Sequence, residues 1–229
     1  MPAYNAEKTL GSVIKSLPSK FEIKSLKLTV LVVVVEDGST DRTYKTALKY
    51  NAVVIRHLLN SGAGAATRTG LRYAQSLGDK VKFAATIDSD GQHSSEDINK
   101  MLIKAIETKA QVIVGNRLHD GNKYKMPFHR TLGNKGLTLI SRMLFGIKVE
   151  DTQSGLRLYD NKALPAVSNY KIDRYGFCTE SLWHATRAKL KIVETPISVE
   201  YSEETLASGQ SSWGVFELIK DLIWIRVAE

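Results

Sequence analysis

In the first half of the chain, apolar residues come in short unbroken blocks separated by stretches in which they recur every three or four positions. The block at 28–35, Leu-Thr-Val-Leu-Val-Val-Val-Val, is β-branched and almost wholly apolar, the pattern of a strand covered on both faces as in parallel sheets. Shorter blocks at 52–55, 83–87 and 111–115 repeat it. Between the blocks the period lengthens. Leu10, Val13, Ile14 and Leu17 predict a first helix that Pro18 stops and Asn5 caps. Further helices are predicted over 41–50, from the glycine-containing segment 60–70 to about 77, and over 96–109, where Ser94 is the cap and Asp97 follows three residues on. Strand and helix alternate four times, which predicts an α/β fold with an open, mostly parallel sheet and helices on both faces.

The second half has a different texture. An apolar helix is expected over 131–147 (Leu137, Ile140, Met143, Leu144, Ile147), a polar loop entering a short strand over 150–159, and a helix over 178–189. Strand-like segments follow at 191–193 and 197–201, then a polar loop over 202–212 and a last helix over 213–229. That last helix carries Glu217, Lys220, Asp221 and Arg226, so it fits an interfacial or partner-packed position better than a membrane span. The 229 residues are expected to form one domain.

Composition narrows the partners. The formal net charge of +8 points to anions: nucleic acid, phosphorylated small molecules or an anionic membrane surface. Nucleic acid is the poorest fit, because no basic strip interleaved with aromatics lies on one strand or helix. A single cysteine, Cys178, excludes an intrachain disulfide framework and suits a reducing compartment. No stretch reaches the eighteen or so apolar residues of a span, and no basic-then-apolar leader opens the chain as given.

The polar segments gather where the predicted strands end. After 83–87 stands Asp88-Ser89-Asp90-Gly91-Gln92-His93. Carboxylates at i and i+2 and an amide at i+4 start from one side of an extended chain and can converge on a hard divalent cation. The same residues also make an ordinary turn. After 28–35 stands Glu36-Asp37-Gly38-Ser39-Thr40-Asp41, and after 111–115 stand Asn116 and Arg117. Open α/β sheets bind ligands outside the carboxyl ends of their strands, so three strands delivering Asp37, Asp88, Asp90 and Arg117 there favour a site over a turn. The run Gly62-Ala63-Gly64 is a weaker signal. Thr67 occupies the third glycine position of a dinucleotide fingerprint, and tight helix entry explains the glycines as well.

Taken together, Pro2-Ala3-Tyr4-Asn5, Glu36-Asp37-Gly38-Ser39, 60–66, 88–93, Gly115-Asn116-Arg117, His129-Arg130 and Asp151-Thr152-Gln153-Ser154-Gly155-Leu156-Arg157 resemble, in order and spacing, the family-2 inverting glycosyltransferases, in particular the dolichyl-phosphate mannosyltransferase group. The resemblance covers residues 2–201. It implies a GT-A fold whose nucleotide- and metal-binding half spans 1–117 and whose acceptor-binding half spans 118–212, with 213–229 as a C-terminal amphipathic helix. It implies a nucleotide-sugar donor (GDP-mannose or UDP-glucose), Mg²⁺ or Mn²⁺, a dolichyl or other polyprenyl phosphate acceptor, and a peripheral position on the cytoplasmic face of a membrane. Carried over by residue, Pro2 and Tyr4 border the donor base, and Asp37 accepts a hydrogen bond from it. Asp88, Asp90 and Gln92 hold the metal on the donor diphosphate. Arg117 and Arg130 bind the acceptor phosphate and the donor's charged groups, and with Asp90 make up the catalytic set. The segment 152–157, with Gln153, Ser154 and Arg157, shapes the sugar pocket. Ala6 stands where the family usually has a carboxylate, leaving Glu7 as the nearest acid. Glu36 replaces an Asp, Ala63 replaces a frequent basic residue, and 210–212 has no basic residue. The strand that precedes Pro-Ala-Tyr-Asn in the family is expected to be missing.

The implied chemistry is transfer of a hexose, mannose first, by single displacement with inversion. A phosphate acceptor is largely dianionic at pH 7, its second pKa being about 6, and needs cations rather than a base. Three alternatives stay open: another sugar such as glucose, a glycan hydroxyl acceptor with Glu150 or Asp151 as base, and an inactive relative.

Overall fold

The computed structural model describes residues 1–119, 128–199 and 220–221, without the side chains of 128–130. The element order is β1 (Pro2–Ala3), α1 (Leu10–Ser16), β2 (Lys20–Ile23), β3 (Leu26–Thr29), β4 (Val33–Asp37), α2 (Thr43–Lys49), β5 (Val53–His57), α3 (Ala63–Ser76), β6 (Phe83–Thr86), α4 (Ser95–Thr108), β7 (Val112–Asn116), α5 (Phe128–Phe145), β8 (Arg157–Asp160), α6 (Leu164–Val167), α7 (Phe177–Arg187) and β9 (Ile192–Pro196).

One sheet runs β1-β4-β5, all parallel, and a second runs β6-β8-β7-β9. In the second, β7 and β9 are parallel, while β8 lies antiparallel between β6 and β7. The expected alternation is therefore present, with one antiparallel strand inserted. Successive residues of β7 and β8 divide between two cores, as a period of two requires. Val112, Val114 and Tyr159 pack with Phe145, Leu182 and Trp183, whereas Ile113 and Leu158 pack with Ile98, Met101 and Leu102 of α4. Helices thus cover both faces.

Several expectations change in detail. The block 28–35 is not one strand: β2 and β3 form an antiparallel hairpin, and β4 starts only at Val33. The cause lies upstream, where Leu26-Lys27-Leu28-Thr29 alternates half-buried and exposed residues, the pattern of a one-sided hairpin strand. Of a first strand the chain shows only the two residues of β1, within the Pro-Ala-Tyr-Asn motif and not before it, paired Pro2↔Val35 and Ala3↔Glu36, with Val35 N donating to Met1 O at 2.9 Å. Asn5 does not cap α1. It sits at φ 48° and accepts from Thr40 N at 3.0 Å, while Thr9 occupies the cap position. Of the two strand-like segments, 191–193 falls in β9, which runs on to Pro196, whereas 197–199 is not a strand, although Ile197 N donates to Asn116 O at 3.0 Å; 200–201 lie outside the described residues.

The predicted cap at Ser94 forms: its hydroxyl accepts from Glu96 N at 3.1 Å. The glycines of 62–64 serve close packing. A side chain on Gly62 would collide with the Asp173 carbonyl, and one on Gly64 would come within 2.6 Å of the Ile172 carbonyl. Gly62 also adopts φ +99°, a conformation other residues avoid.

Candidate active site

The corner after β6 is built by its neighbours. Thr9, at the start of α1, donates its hydroxyl to Ser89 O at 2.7 Å, and Asp90 Oδ1 accepts from Gln92 N at 3.0 Å. Asp88, its side chain partly exposed, faces the loop after Asp151: a Cβ on Gly155 would overlap its carboxylate. Thr86 holds that loop from the other side by donating to Gly155 O at 2.8 Å. His93 is buried, with Nε2 3.6 Å from Asp88 Oδ2 and Nδ1 without a hydrogen-bond partner among the described residues.

The two carboxylates titrate in opposite directions. Burial pushes Asp88 up, but His93 and then the Arg117 guanidinium outweigh it and hold the carboxyl below the usual range. Burial and then the charge of Asp88 push the Asp90 carboxyl above the usual range. Two acids arranged so that one's charge raises the other suit a cation that would neutralise both. The donors are hard oxygens, as Mg²⁺ and Mn²⁺ prefer. Among the described residues no group of three or more His, Cys, Asp or Glu side chains gathers on one point. The chain would supply few ligands, as is usual for a metal that also takes substrate phosphate oxygens.

Beyond this corner stands the ion pair of Arg117 and Asp151. Arg117 Nε donates to Asp151 Oδ2 at 2.7 Å and a terminal nitrogen to Oδ1 at 2.9 Å, and Arg117 N adds a bond at 3.1 Å. Asp151 is fully buried. Burial raises its carboxyl, but Arg117 overcomes this and holds it below the usual range. Glu150 accepts from the Asn116 amide at 2.9 Å. Both acids weighed as bases for a hydroxyl acceptor are therefore engaged, and Asp151 is held as an anion.

The structure does not bring Arg157 to the crevice surface. Its side chain turns inward, 1% exposed, and donates to the carbonyls of Ser154, Cys178 and Thr152 at 3.0, 2.8 and 2.8 Å. It ties the loop 152–157 to the first turn of α7. Ser154 is buried as well, and Gln153 donates to Thr179 Oγ1 at 3.0 Å. These residues set the shape of the loop that lies against Asp88.

Asp37 is likewise enclosed, at 2% exposed. Its Oδ1 pairs with His57 Nδ1 at 2.7 Å and accepts from Ser61 N at 3.0 Å, and Oδ2 accepts from Gly62 N at 2.8 Å. The entry of α3 is thereby occupied by protein, since Ala65 N also donates to Asp173 O at 3.1 Å. Glu36, buried beside it, accepts from Arg56 Nε at 2.9 Å and from Ser39 N. Glu7 accepts from Arg42 N at 2.9 Å, while Tyr4 is half exposed next to it. Arg130 lies in α5, and its side chain is outside the described residues, as are the basic loop up to it, the loop 202–212 and most of 213–229.

Two positioning residues escaped the sequence reading. His57 bridges Asp37 and Thr69 Oγ1, the latter at 3.0 Å. Glu180, buried in α7, accepts from Lys171 N and Ile172 N at 2.9 and 2.8 Å, setting the segment against which Gly62 and Gly64 pack. Burial pushes its carboxyl up, but His184 and the two amides hold it below the usual range. A His at a strand end and a Glu on an apolar helix face were the available signals.

Comparison with known proteins adds a family to this geometry. The family description "Glycosyl transferase family 2" matches residues 1–167. A UDP-N-acetylglucosamine–dolichyl-phosphate N-acetylglucosaminyltransferase of Methanococcus voltae is 33% identical, across 100% of this chain and 95% of that protein. The human dolichyl-phosphate β-glucosyltransferase is 29% identical, across 99% of this chain and 74% of its own length. Glucosyl-3-phosphoglycerate synthase of Mycobacterium tuberculosis, solved with uridine diphosphate, superposes with a TM-score of 0.70 at 20% identity, covering 99% of this chain and 78% of that one. That likeness is one of fold, the GT-A arrangement.

Proposed function

We propose that this chain, which belongs to glycosyl transferase family 2, transfers a hexose unit from a nucleotide sugar to dolichyl or another polyprenyl phosphate with inversion at the anomeric carbon. The observation that carries the reading is the pair Asp88 and Asp90 after β6, with the charge of Asp88 acting on Asp90 and that of Arg117 on Asp88. Asp88, Asp90 and Gln92 would hold Mg²⁺ or Mn²⁺, which when bound supplies Lewis-acid stabilisation of the leaving diphosphate. Arg117, fixed by Asp151, presents a cation whose orientation is set before substrate arrives. With Arg130 it would position the acceptor phosphate, which attacks without a base.

The burial of Asp151 under Arg117 speaks against a hydroxyl acceptor, because a base needs an accessible carboxylate with a pKa near the working pH. On the donor side, Tyr4, Pro2 and Glu7 would flank the nucleoside. Asp37, its oxygens engaged by the chain, would shape that wall through the backbone of 61–62. The names of the relatives favour a UDP-linked sugar, N-acetylglucosamine or glucose, over GDP-mannose. A lipid-borne acceptor supports a peripheral position at a membrane, which we read as its cytoplasmic face. No described helix is long and apolar enough to cross one.

The test is a donor panel. Purified protein, dolichyl phosphate, Mg²⁺ or Mn²⁺ and labelled UDP-N-acetylglucosamine, UDP-glucose or GDP-mannose are expected to give labelled lipid with one UDP-sugar. Transfer only to hydroxyl acceptors, or to no acceptor from any donor, overturns the reading.

A further inference from the structure

Arg117 follows the last residue of β7, and the residues on either side of it are held from the neighbouring strand β9. The register pairs Val114 of β7 with Glu194 of β9. From there the Glu194 carboxylate reaches the loop between α5 and β8: Oε2 accepts from Glu150 N at 2.9 Å and Oε1 from Asp151 N at 3.1 Å. Each of those residues then grips the end of β7. Asp151 takes Arg117 through its guanidinium and its backbone N–H. Glu150 accepts from the Asn116 amide at 2.9 Å, and Asn116 Oδ1 accepts from Leu118 N at 2.8 Å. Two routes therefore run to the two sides of Arg117, and both begin at the one half-buried carboxylate of Glu194.

This arrangement sets three acids close together. Burial pushes the Glu194 carboxyl above the usual range; the two amides draw it down, and the charges of Glu150 and Asp151 push it up again. Two adjacent N–H groups call for two acceptor oxygens, which a carboxylate has and a glutamine does not.

We propose that Glu194 is a positioning residue for the acceptor phosphate: it fixes residues 150 and 151 so that Asp151 and Asn116 hold the Arg117 guanidinium in the orientation that receives the phosphate. Glu194 itself touches neither substrate nor metal. A forked cation pays out its two parallel bonds only when aligned, so a small displacement of its support is felt in binding. The proposal rests on the reading of Arg117 as a phosphate-binding residue and deepens it. Alignment of the acceptor depends on β9, whereas the Asp37 wall is held through the amides of Ser61 and Gly62, and the β6 corner through Thr9 and the Gln92 amide.

Glu194→Gln keeps the shape and removes one of the two acceptors. In steady-state transfer to a short, water-soluble prenyl phosphate, the acceptor KM should rise about tenfold and the donor KM should change by less than about twofold. Asp97→Asn is the control. Buried Asp97 accepts from Ser198 N at 3.1 Å just beyond β9, so its loss should lower the unfolding midpoint and leave the acceptor KM unchanged. In an Arg117→Lys background, which keeps the charge and loses the fork, Glu194→Gln should add less than about twofold. An unchanged acceptor KM in Glu194→Gln, an equal rise in Asp97→Asn, a matching rise in the donor KM, or the full effect in the Arg117→Lys background would each overturn the proposal. The Arg117 Nε–H resonance, assigned by its loss in Arg117→Lys, tests the linkage without turnover. It should shift or broaden in Glu194→Gln and stay in place in Asp97→Asn. If it moves but the wild type transfers nothing, the phosphate role falls with the enzymatic reading and the positioning of Arg117 stands. If it stays in place while the wild type transfers, the enzymatic reading stands and this proposal falls.

Discussion

Two acidic corners follow two strands of this fold and look alike in sequence: Glu36-Asp37-Gly38-Ser39 after β4 and Asp88-Ser89-Asp90-Gly91 after β6. In the structure they do opposite things. Asp37 is enclosed, and the chain itself answers its charge through His57, Ser61 and Gly62. At the second corner the charge of Asp88 instead raises the Asp90 carboxyl, with His93 the nearest counter-group to Asp88. A carboxylate satisfied from within holds shape. A pair that opposes itself costs stability until something cationic arrives, and that cost marks a site.

The largest test of this contrast is Asp90→Asn. Transfer should fall by about a thousandfold or more, while the thermal midpoint stays level or rises because a repulsive charge is gone. Full activity with and without chelator would reduce the β6 corner to a turn. Next comes Arg157→Met, which leaves the carbonyls of Thr152, Ser154 and Cys178 unmatched in the interior. Denaturant unfolding should show a loss of about 3–5 kcal/mol. An unchanged stability with a raised donor KM would instead put Arg157 on substrate. Asp37→Asn turns an amide N–H₂ toward a backbone donor and should cost about 2–3 kcal/mol. Its effect on turnover should track unfolding, where that of Asp90→Asn does not.

The smallest effect is on pH. Asp151 and Glu180 have folded pKa values below the usual range, so each contributes stability that is fully present above the unfolded value near about 4 and is lost as pH falls through the folded one. Acid unfolding monitored by circular dichroism should therefore be steeper in the wild type than in Asp151→Asn, with midpoints differing by less than about one pH unit. Identical profiles would mean that Arg117 does not hold Asp151 as an anion.

The blocks at 52–55, 83–87 and 111–115 were legible because each is a short, nearly unbroken apolar run between polar segments, although only β7 is buried along its whole length. The Asp88–Asp90 pair was legible because it sits where such a run stops. The hairpin β2-β3 was hidden by its continuity with the apolar block of β4, since Leu28 and Thr29 of β3 read as the start of that run. The roles of Arg157, Glu180 and His57 were hidden for another reason. Their partners are backbone amides and carbonyls, or side chains far along the chain, and a backbone group has no letter in the sequence. A buried arginine on carbonyls and an arginine waiting for phosphate are written identically.

The placement of β8 has a consequence for how the protein is made. Arg157–Asp160 pairs on one side with Phe83–Thr86 and on the other with β7. A nascent chain that has left the ribosome only as far as Arg117 holds β6 and β7 with the strand between them still unsynthesised, two open edges of apolar backbone. Nothing in the first 117 residues can close that gap, so they cannot finish folding during translation until Arg157–Asp160 follows them out. Synthesis stalled between those points should yield an aggregation-prone fragment rather than a folded half.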